Sequence, residues 1–498
     1  MKKIALLMVS ILFAETLYGQ NPGNAYDTER ARIRERFESL RGNARQQYDD
    51  ARRKAEADFA AFREKANAEF AAALQNDWKG MDLVPAIPRP EEDKPPKPPV
   101  PSPDRKPTTV PLPQSEVKPV DIPRQPTIPS PPVPEPEPAT PTIQYDVYGT
   151  TCTAHADAAD LRFKLASVDE KGAARAWKTL SQSKYDGLLH DCLEQRDALQ
   201  LGDWGYLKLL QSVSEKLLGS GSNEAVLMQM YLLTQSGYCV RLAKVNGRFV
   251  QLVPFNRSIY NYPFVSIDGL NYYVLTDTKA TDLDICKVGF PREQVASIQL
   301  TTLPKLAAAA SPGRTFAAKR FGSMTANVRV NRSLIEFMND YPLSDSWDCY
   351  ALAGLSETVK ADLYPVLRNQ ISGKSKAEGA AMLLNFVQTA FDYATDQDQF
   401  GYERPLFGDE SFYYPKNDCE DRSILFSILV RDLLGLDVVL VHWPGHLGTA
   451  VCFREEVIGD YFVIDGQRYT ICDPTYIGAG VGETMPQFRG VSARLVRL

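Results

Sequence analysis

The chain has 498 residues, with 56 Lys and Arg against 62 Asp and Glu, for a formal net charge of −6. A single hydrophobic core seldom grows beyond ~250 to 300 residues, so about two to four domains are expected rather than one globule. The charge balance offers no global basic field, and no nucleic-acid partner is expected. At the N-terminus, residues 1–20 read MKKIALLMVSILFAETLYGQ, with Lys2 and Lys3 ahead of an apolar run over residues 4–14. That run is too short to span a bilayer comfortably and has the shape of a signal peptide. Export is therefore expected, to the periplasm, the cell envelope or the extracellular space.

Residues 21–82 are charged and alanine-rich, and Tyr26, Phe37, Tyr48, Phe59 and Phe70 recur every eleven residues. Eleven residues in three turns draw a nearly straight apolar stripe on a helix roughly 80 Å long. A stripe this narrow makes no core alone, so the helix is expected to self-associate or to lie against the rest of the protein. Gly42 and Asn43 mark a candidate break in its middle. Residues 83–142 then turn to proline, lysine, glutamate and serine, as in EEDKPPKPPVPSPDRKP. That composition favours polyproline II and buries no core, which predicts a disordered spacer reaching at most roughly 180 Å.

Residues 143–498 form the globular body. Helical patterns over 377–393 and 422–434 precede strand-like runs over 438–441, 449–453, 461–464 and 469–472. Helices followed by short antiparallel-looking strands indicate an α+β fold. The eight cysteines form no C-x-x-C pair and are spaced too widely for a zinc module, so neither a metal nor any other cofactor is expected. Cys152 and Cys192 are the pair that an oxidising compartment could join.

The body also repeats itself. Sliding the chain by 198 residues lays GSNEAVLMQMYLLTQSGYCVRLAKVNGRFVQLVPF, from Gly221, over CEDRSILFSILVRDLLGLDVVLVHWPGHLGTAVCF, from Cys419, without a gap. Leu227 meets Leu425, Gly237 meets Gly435, Gly247 meets Gly445 and Phe255 meets Phe453; at an offset of 197, Asp268 and Gly269 meet Asp465 and Gly466. Glycines at turns and apolar strand residues are what two copies of one backbone would keep. Residues 143–330 and 331–498 are accordingly expected to be two related domains.

In the second copy, Cys419 lies in KNDCEDRS at the start of a helical pattern, and alone it reads as a buried thiol. His446 follows 27 residues later in WPGHLGTAV, and Asp473 lies 27 further on in ICDPTY. A thiol nucleophile needs a base in reach and a third group that fixes the imidazole tautomer, and these three residues can supply that set. His442 sits beyond the turn Trp443, Pro444 and Gly445, so His446 is the candidate base. Asp418 suits the N-cap, and Glu420 and Asp421 are expected to point about 100° and 200° around the helix from the thiol. Tyr413 or Tyr414 is a candidate second donor to a developing oxyanion. The aligned positions in the first copy are Gly221, Arg248 and Thr276, none of which can play these roles.

DCEDRSILFSILVRDLLGL, the GH before a strand and CDPTY resemble the Cys, His and Asp motifs of the transglutaminase-like superfamily, most nearly its bacterial cysteine peptidases. The resemblance implies a papain/transglutaminase-like core, present here as a degenerate first copy and a triad-bearing second one. It implies a Cys419, His446, Asp473 triad that cleaves or transfers amide bonds of a protein or peptide substrate through a thioester. Leu447 and Gly448 depart from the pattern, because many members place an aromatic after the histidine. The competing expectation is a non-catalytic envelope scaffold that uses the same fold.

Overall fold

A computed structural model describes residues 24–89, 109–119, 128–276, 279–344 and 346–498. The expected signal peptide, and residues 90–108 and 120–127 of the expected spacer, lie outside that set. The chain divides into two units, Met1–Ala66 with Pro131–Pro134, and Asn67–Ser130 with Glu135–Leu498. Among the described residues no helix is long and apolar enough to cross a membrane. The fold is mixed α+β.

Helix α1 (Asn24–Asn76) runs for 53 residues and passes through Gly42 and Asn43 without a break. One interior glycine costs only about 1 kcal/mol against alanine, too little to end a helix of this length. Residues 67–76, which belong to the second unit, enter its core. Phe70 packs on Trp177 at 4.6 Å between ring centroids, and Asn67 Oδ1 accepts from Trp177 Nε1 and Gln235 Nε2, each at 3.0 Å.

Two six-stranded sheets dominate the second unit. In chain order their strands are β1 (Trp78–Asp82), β2 (Gln114–Lys118), β3 (Arg241–Val245), β4 (Arg248–Pro254), β5 (Phe264–Ile267), β6 (Leu270–Val274), β7 (Asp282–Cys286), β8 (Val438–Trp443), β9 (His446–Cys452), β10 (Tyr461–Ile464), β11 (Gln467–Ile471) and β12 (Ala493–Arg497). The first sheet has the order β1-β7-β3-β4-β6-β5 and the second β2-β12-β8-β9-β11-β10. Strand for strand the two orders are the same, and β4, β5 and β6 begin and end at the residues that the sequence repeat aligns with β9, β10 and β11. The positive φ values agree too: Gly237 and Gly435 have φ 92° and 64°, Gly247 and Gly445 have 75° and 69°, and Asp268 and Asp465 have 51° and 50°. Each pair turns the chain through the left-handed region at the same place.

Both sheets are closed by chain from the stretch expected to be a disordered spacer, or from its border. After β1, which pairs antiparallel with β7, Val84 exchanges both backbone hydrogen bonds with Phe264 of β5 at 2.8 and 3.1 Å. Residues 109–119 do the same for the second sheet. Leu112 N donates to Tyr461 O of β10 at 2.8 Å, Tyr461 N donates to Val110 O at 3.1 Å, and β2 then pairs in parallel with β12. Leu112 is buried in the second sheet's apolar cluster with Trp443, Phe462 and Phe488. The non-proline run QSEVK thus forms a strand inside the proline-rich stretch. An open sheet edge offers it unpaired backbone groups, which outweigh its poor local propensity. All eight cysteines are free thiols, Cys152 and Cys192 included; Cys192 Sγ lies 3.8 Å from the Tyr145 hydroxyl.

Three further helices matter below: α2 (Asn223–Gln235) beside the first sheet, and α3 (Lys376–Thr389) and α4 (Cys419–Leu434) beside the second. Helix α4 is buried from Cys419 to Val430 and ends at Gly435, a left-handed C-cap.

Candidate active site

Cys419 is the first residue of α4, and Asp418 occupies the N-cap. Its side chain is buried in a small cluster with Leu440, Leu447 and Val496, against which Trp347 and Leu498 pack. His446 opens β9, and Asp473 lies just beyond β11. His446 Nε2 and Asp473 Oδ2 are 2.9 Å apart, and both side chains are buried. A carboxylate only accepts, so Nε2 carries the proton and Nδ1 is left as the basic nitrogen.

The pair is firmly held. Asp473 Oδ1 accepts from the backbone N–H of Thr475 at 2.9 Å and of Tyr476 at 3.2 Å. Gln388 of α3 pins the same loop by donating from Nε2 to the carbonyls of Asp473, Tyr476 and Ala479. The His446 ring lies nearly parallel to Phe488, at 5.1 Å and 5°, and to Trp443, at 5.9 Å and 15°. Trp443 and Phe488 also stack on one another at 5.0 Å. Stacking fixes the plane of the imidazole, and the carboxylate fixes its rotation within that plane.

Two contacts join the first turn of α4 to the start of β9. The Leu447 N–H bears on the Cys419 sulfur and favours its thiolate. One turn along, Ser423 Oγ donates to Leu447 O at 2.9 Å. The backbone of Leu447, the neighbour of His446 in sequence, therefore adjoins the first turn that carries Cys419. The His442 ring meets Trp347 at 4.8 Å and 46°, and Trp347 packs against the cluster that holds Cys419. Tyr414 donates its hydroxyl to Asn339 Oδ1 at 2.6 Å, and Tyr413 is 39% exposed.

One expectation is corrected. The thiol does not face His446 through a hydrogen bond among those of the described residues; it donates to Glu420 Oε2 at 3.0 Å. Glu420 was expected to point away around the helix, but its three-bond side chain bends back to the sulfur in a water-poor site. Burial, followed by the charges of Glu420 and Asp418, pushes the thiol pKa well above its usual range. The acids are raised as well. Burial and then Asp418 lift Glu420 to about 8, and burial lifts Asp421 to about 7. Asp396, brought in from residues 396–399, is lifted to about 11 by burial and by Asp421.

Oxygens of Asp396, Asp418 and Glu420 all lie within 4.8 Å of one another. That span fits carboxylates around a hard divalent cation such as calcium, with oxygen contacts of about 2.3 to 2.6 Å. Among the described residues none of the three forms an ion pair with Lys or Arg, so protons or a cation must neutralise them. These are the residues at the site that could hold a metal, and sequence reasoning missed the set. The acids beside Cys419 were legible, but nothing local linked Asp396 to them.

The first sheet shows the same place without the chemistry. Arg248, aligned with His446, donates from Nη2 to the carbonyl of Gly221, aligned with Cys419. Helix α2 starts only at Asn223 behind the cap Ser222, so the turn that would carry the sulfur is missing. Thr276, aligned with Asp473, is exposed. Comparison with known proteins adds no relative, since no family model, no curated protein and no solved structure matches this chain.

Proposed function

We propose that this protein is an exported cysteine acyl-transfer enzyme with a transglutaminase-like core, acting on amide bonds of a protein or peptide. The observation that carries the reading is the buried His446–Asp473 pair, fixed in one tautomer next to a cysteine on the first turn of a helix. The helix N-terminus and an imidazolium at position 446 both favour a thiolate. Rotation of the thiol from Glu420 to His446 Nδ1 starts the reaction, and the proton passes to the imidazole.

The sulfur then bonds to the amide carbon, and the Cys419 N–H, free of an intrahelical partner at the first helical position, supports the developing oxyanion. The C–N bond breaks, the amine leaves with the proton from His446, and a thioester remains. Water or a second amine attacks the thioester, His446 takes its proton, and the regenerated sulfur leaves as thiolate. Asp473 holds the ring throughout. A divalent cation on Asp396, Asp418 and Glu420 would supply charge neutralisation, weakening the hold of Glu420 on the thiol.

A second reading, a non-catalytic scaffold, draws on the burial of Cys419 and its bond to Glu420. A thiol-directed acylating probe separates the two. Labelling mapped by mass spectrometry to Cys419 supports the enzyme; no labelling at Cys419, with or without calcium, favours the scaffold.

A further inference from the structure

An open cleft of about 710 Å³ lies apart from the triad and has no part in the chemistry above. Its walls include Arg89 from the chain after β1, Tyr260 and Lys279 from the first sheet's loops, and Asp340, Tyr402 and Arg404. Thr276, aligned with Asp473, also lines it.

The charges there do not cancel. Asp340 is taken by Lys208 at 3.1 Å, and Arg404 by Glu410 at 2.5 Å. Arg89 stacks over the Tyr402 ring at 3.6 Å, with Nε and Nη2 facing the side-chain amide of Asn261. Neither Arg89 nor the exposed Lys279 has a carboxylate partner among the described residues. A stacked guanidinium with N–H groups to spare is preorganised for a carboxylate, and the lysine adds a second positive charge. The tyrosines offer flat apolar walls with polar tips, and the volume falls in the ~300 to 1,000 Å³ range of ligand pockets.

The cleft is also wired to the candidate site. Arg404, on its wall, donates its backbone N–H to Asp396 Oδ2 at 2.5 Å, and Asp396 stands with Glu420 beside the thiol.

We infer that this cleft is a docking subsite for an acidic stretch of the polypeptide substrate, seating carboxylates on Arg89 and Lys279 and the chain along Tyr260 and Tyr402. The inference rests on the acyl-transfer reading of Cys419 for the word substrate, and its test does not depend on turnover. Fluorescein-labelled pentaglutamate is titrated against the full chain carrying Cys419→Ala, with labelled pentalysine as the opposite-charge probe. Pentaglutamate should bind, weaken as salt rises, and lose at least tenfold in affinity in Arg89→Glu with Lys279→Glu. Lys171→Glu with Lys178→Glu makes the same change in net charge on a distant exposed face and should leave binding within twofold. Thermal midpoints of both double variants show whether they fold, and if the cleft double variant does not, Lys279→Glu alone should weaken binding at least threefold. No binding, equal binding of pentalysine, or equal loss in both double variants overturns the inference. If Cys419 labels with an acylating probe while pentaglutamate fails to bind, the cleft alone is refuted; binding without labelling refutes the enzyme and leaves an acidic-peptide site.

Discussion

The two sheets turn at the same residues and pair their strands in the same order, yet of the aligned positions only those of the second hold a cysteine, a histidine and an aspartate. Strands β4 and β9 begin at aligned positions, with Arg248 in one and His446 in the other. The contrast lies in what surrounds those positions. Residues 275–281 join β6 to β7, whereas residues 472–492 join β11 to β12 and bring Asp473 and the Phe488 ring to the imidazole. Helix α4 starts two aligned residues earlier than α2, and the first of those two carries the sulfur. A backbone can thus persist through its turns and apolar strands while its chemistry resides in three side chains and one loop.

Four measurements test this difference between the sheets. The largest effect is expected from Cys419→Ala, which should abolish covalent labelling by an acylating probe, while Gly221→Cys should create none at position 221. Labelling there would show that the fold alone activates a thiol. Next, His446→Gln should slow labelling by about 10²-fold or more, the usual range for removing a general base, while Arg248→Gln should leave the rate unchanged. An unaltered rate in His446→Gln would remove the base from the mechanism.

The loop particular to the second sheet can be tested through Phe488→Ala. It removes a buried ring from the stack on His446 and Trp443 and should cost about 3 kcal/mol by chemical denaturation. A cost below about 1 kcal/mol would show that the loop is not part of the core.

The smallest effect concerns the acids. Burial raises Glu420 to about 8 and Asp421 to about 7. Their folded-state stability is therefore fully present below the unfolded carboxylate range near pH 4 and is lost as pH rises through 7 and 8. With chelator present, the thermal midpoint should climb a few degrees between pH 8 and pH 5. Calcium at pH 8 should restore most of that rise and speed labelling of Cys419. A flat pH profile, or no response to calcium, would detach the acidic group from the thiol's control.

Much of this was legible in local pattern. The eleven-residue stripe announced α1, because a helix repeats every 3.6 residues whatever it packs against. The turn glycines and apolar strand residues announced two related sheets, and Cys419, His446 and Asp473 could be chosen from motif order. The closing strands were not legible. QSEVK has no strong strand propensity, and only the open edges beside β10 and β12 give it partners. Likewise Tyr414 looked free to serve an oxyanion until Asn339, distant in sequence, took its hydroxyl.

From local causes alone the sequence settled a long helix and paired hairpins with left-handed turns, and it singled out three candidate site residues. Tertiary structure alone decided which groups each of those side chains meets. It paired His446 with Asp473, turned the Cys419 thiol toward Glu420, carried Asp396 into the same buried acidic group and set Arg89 and Lys279 on one cleft. Contacts of that kind join residues far apart in sequence or choose among side-chain rotamers. Burial and charge settle them only when the whole unit has closed around them.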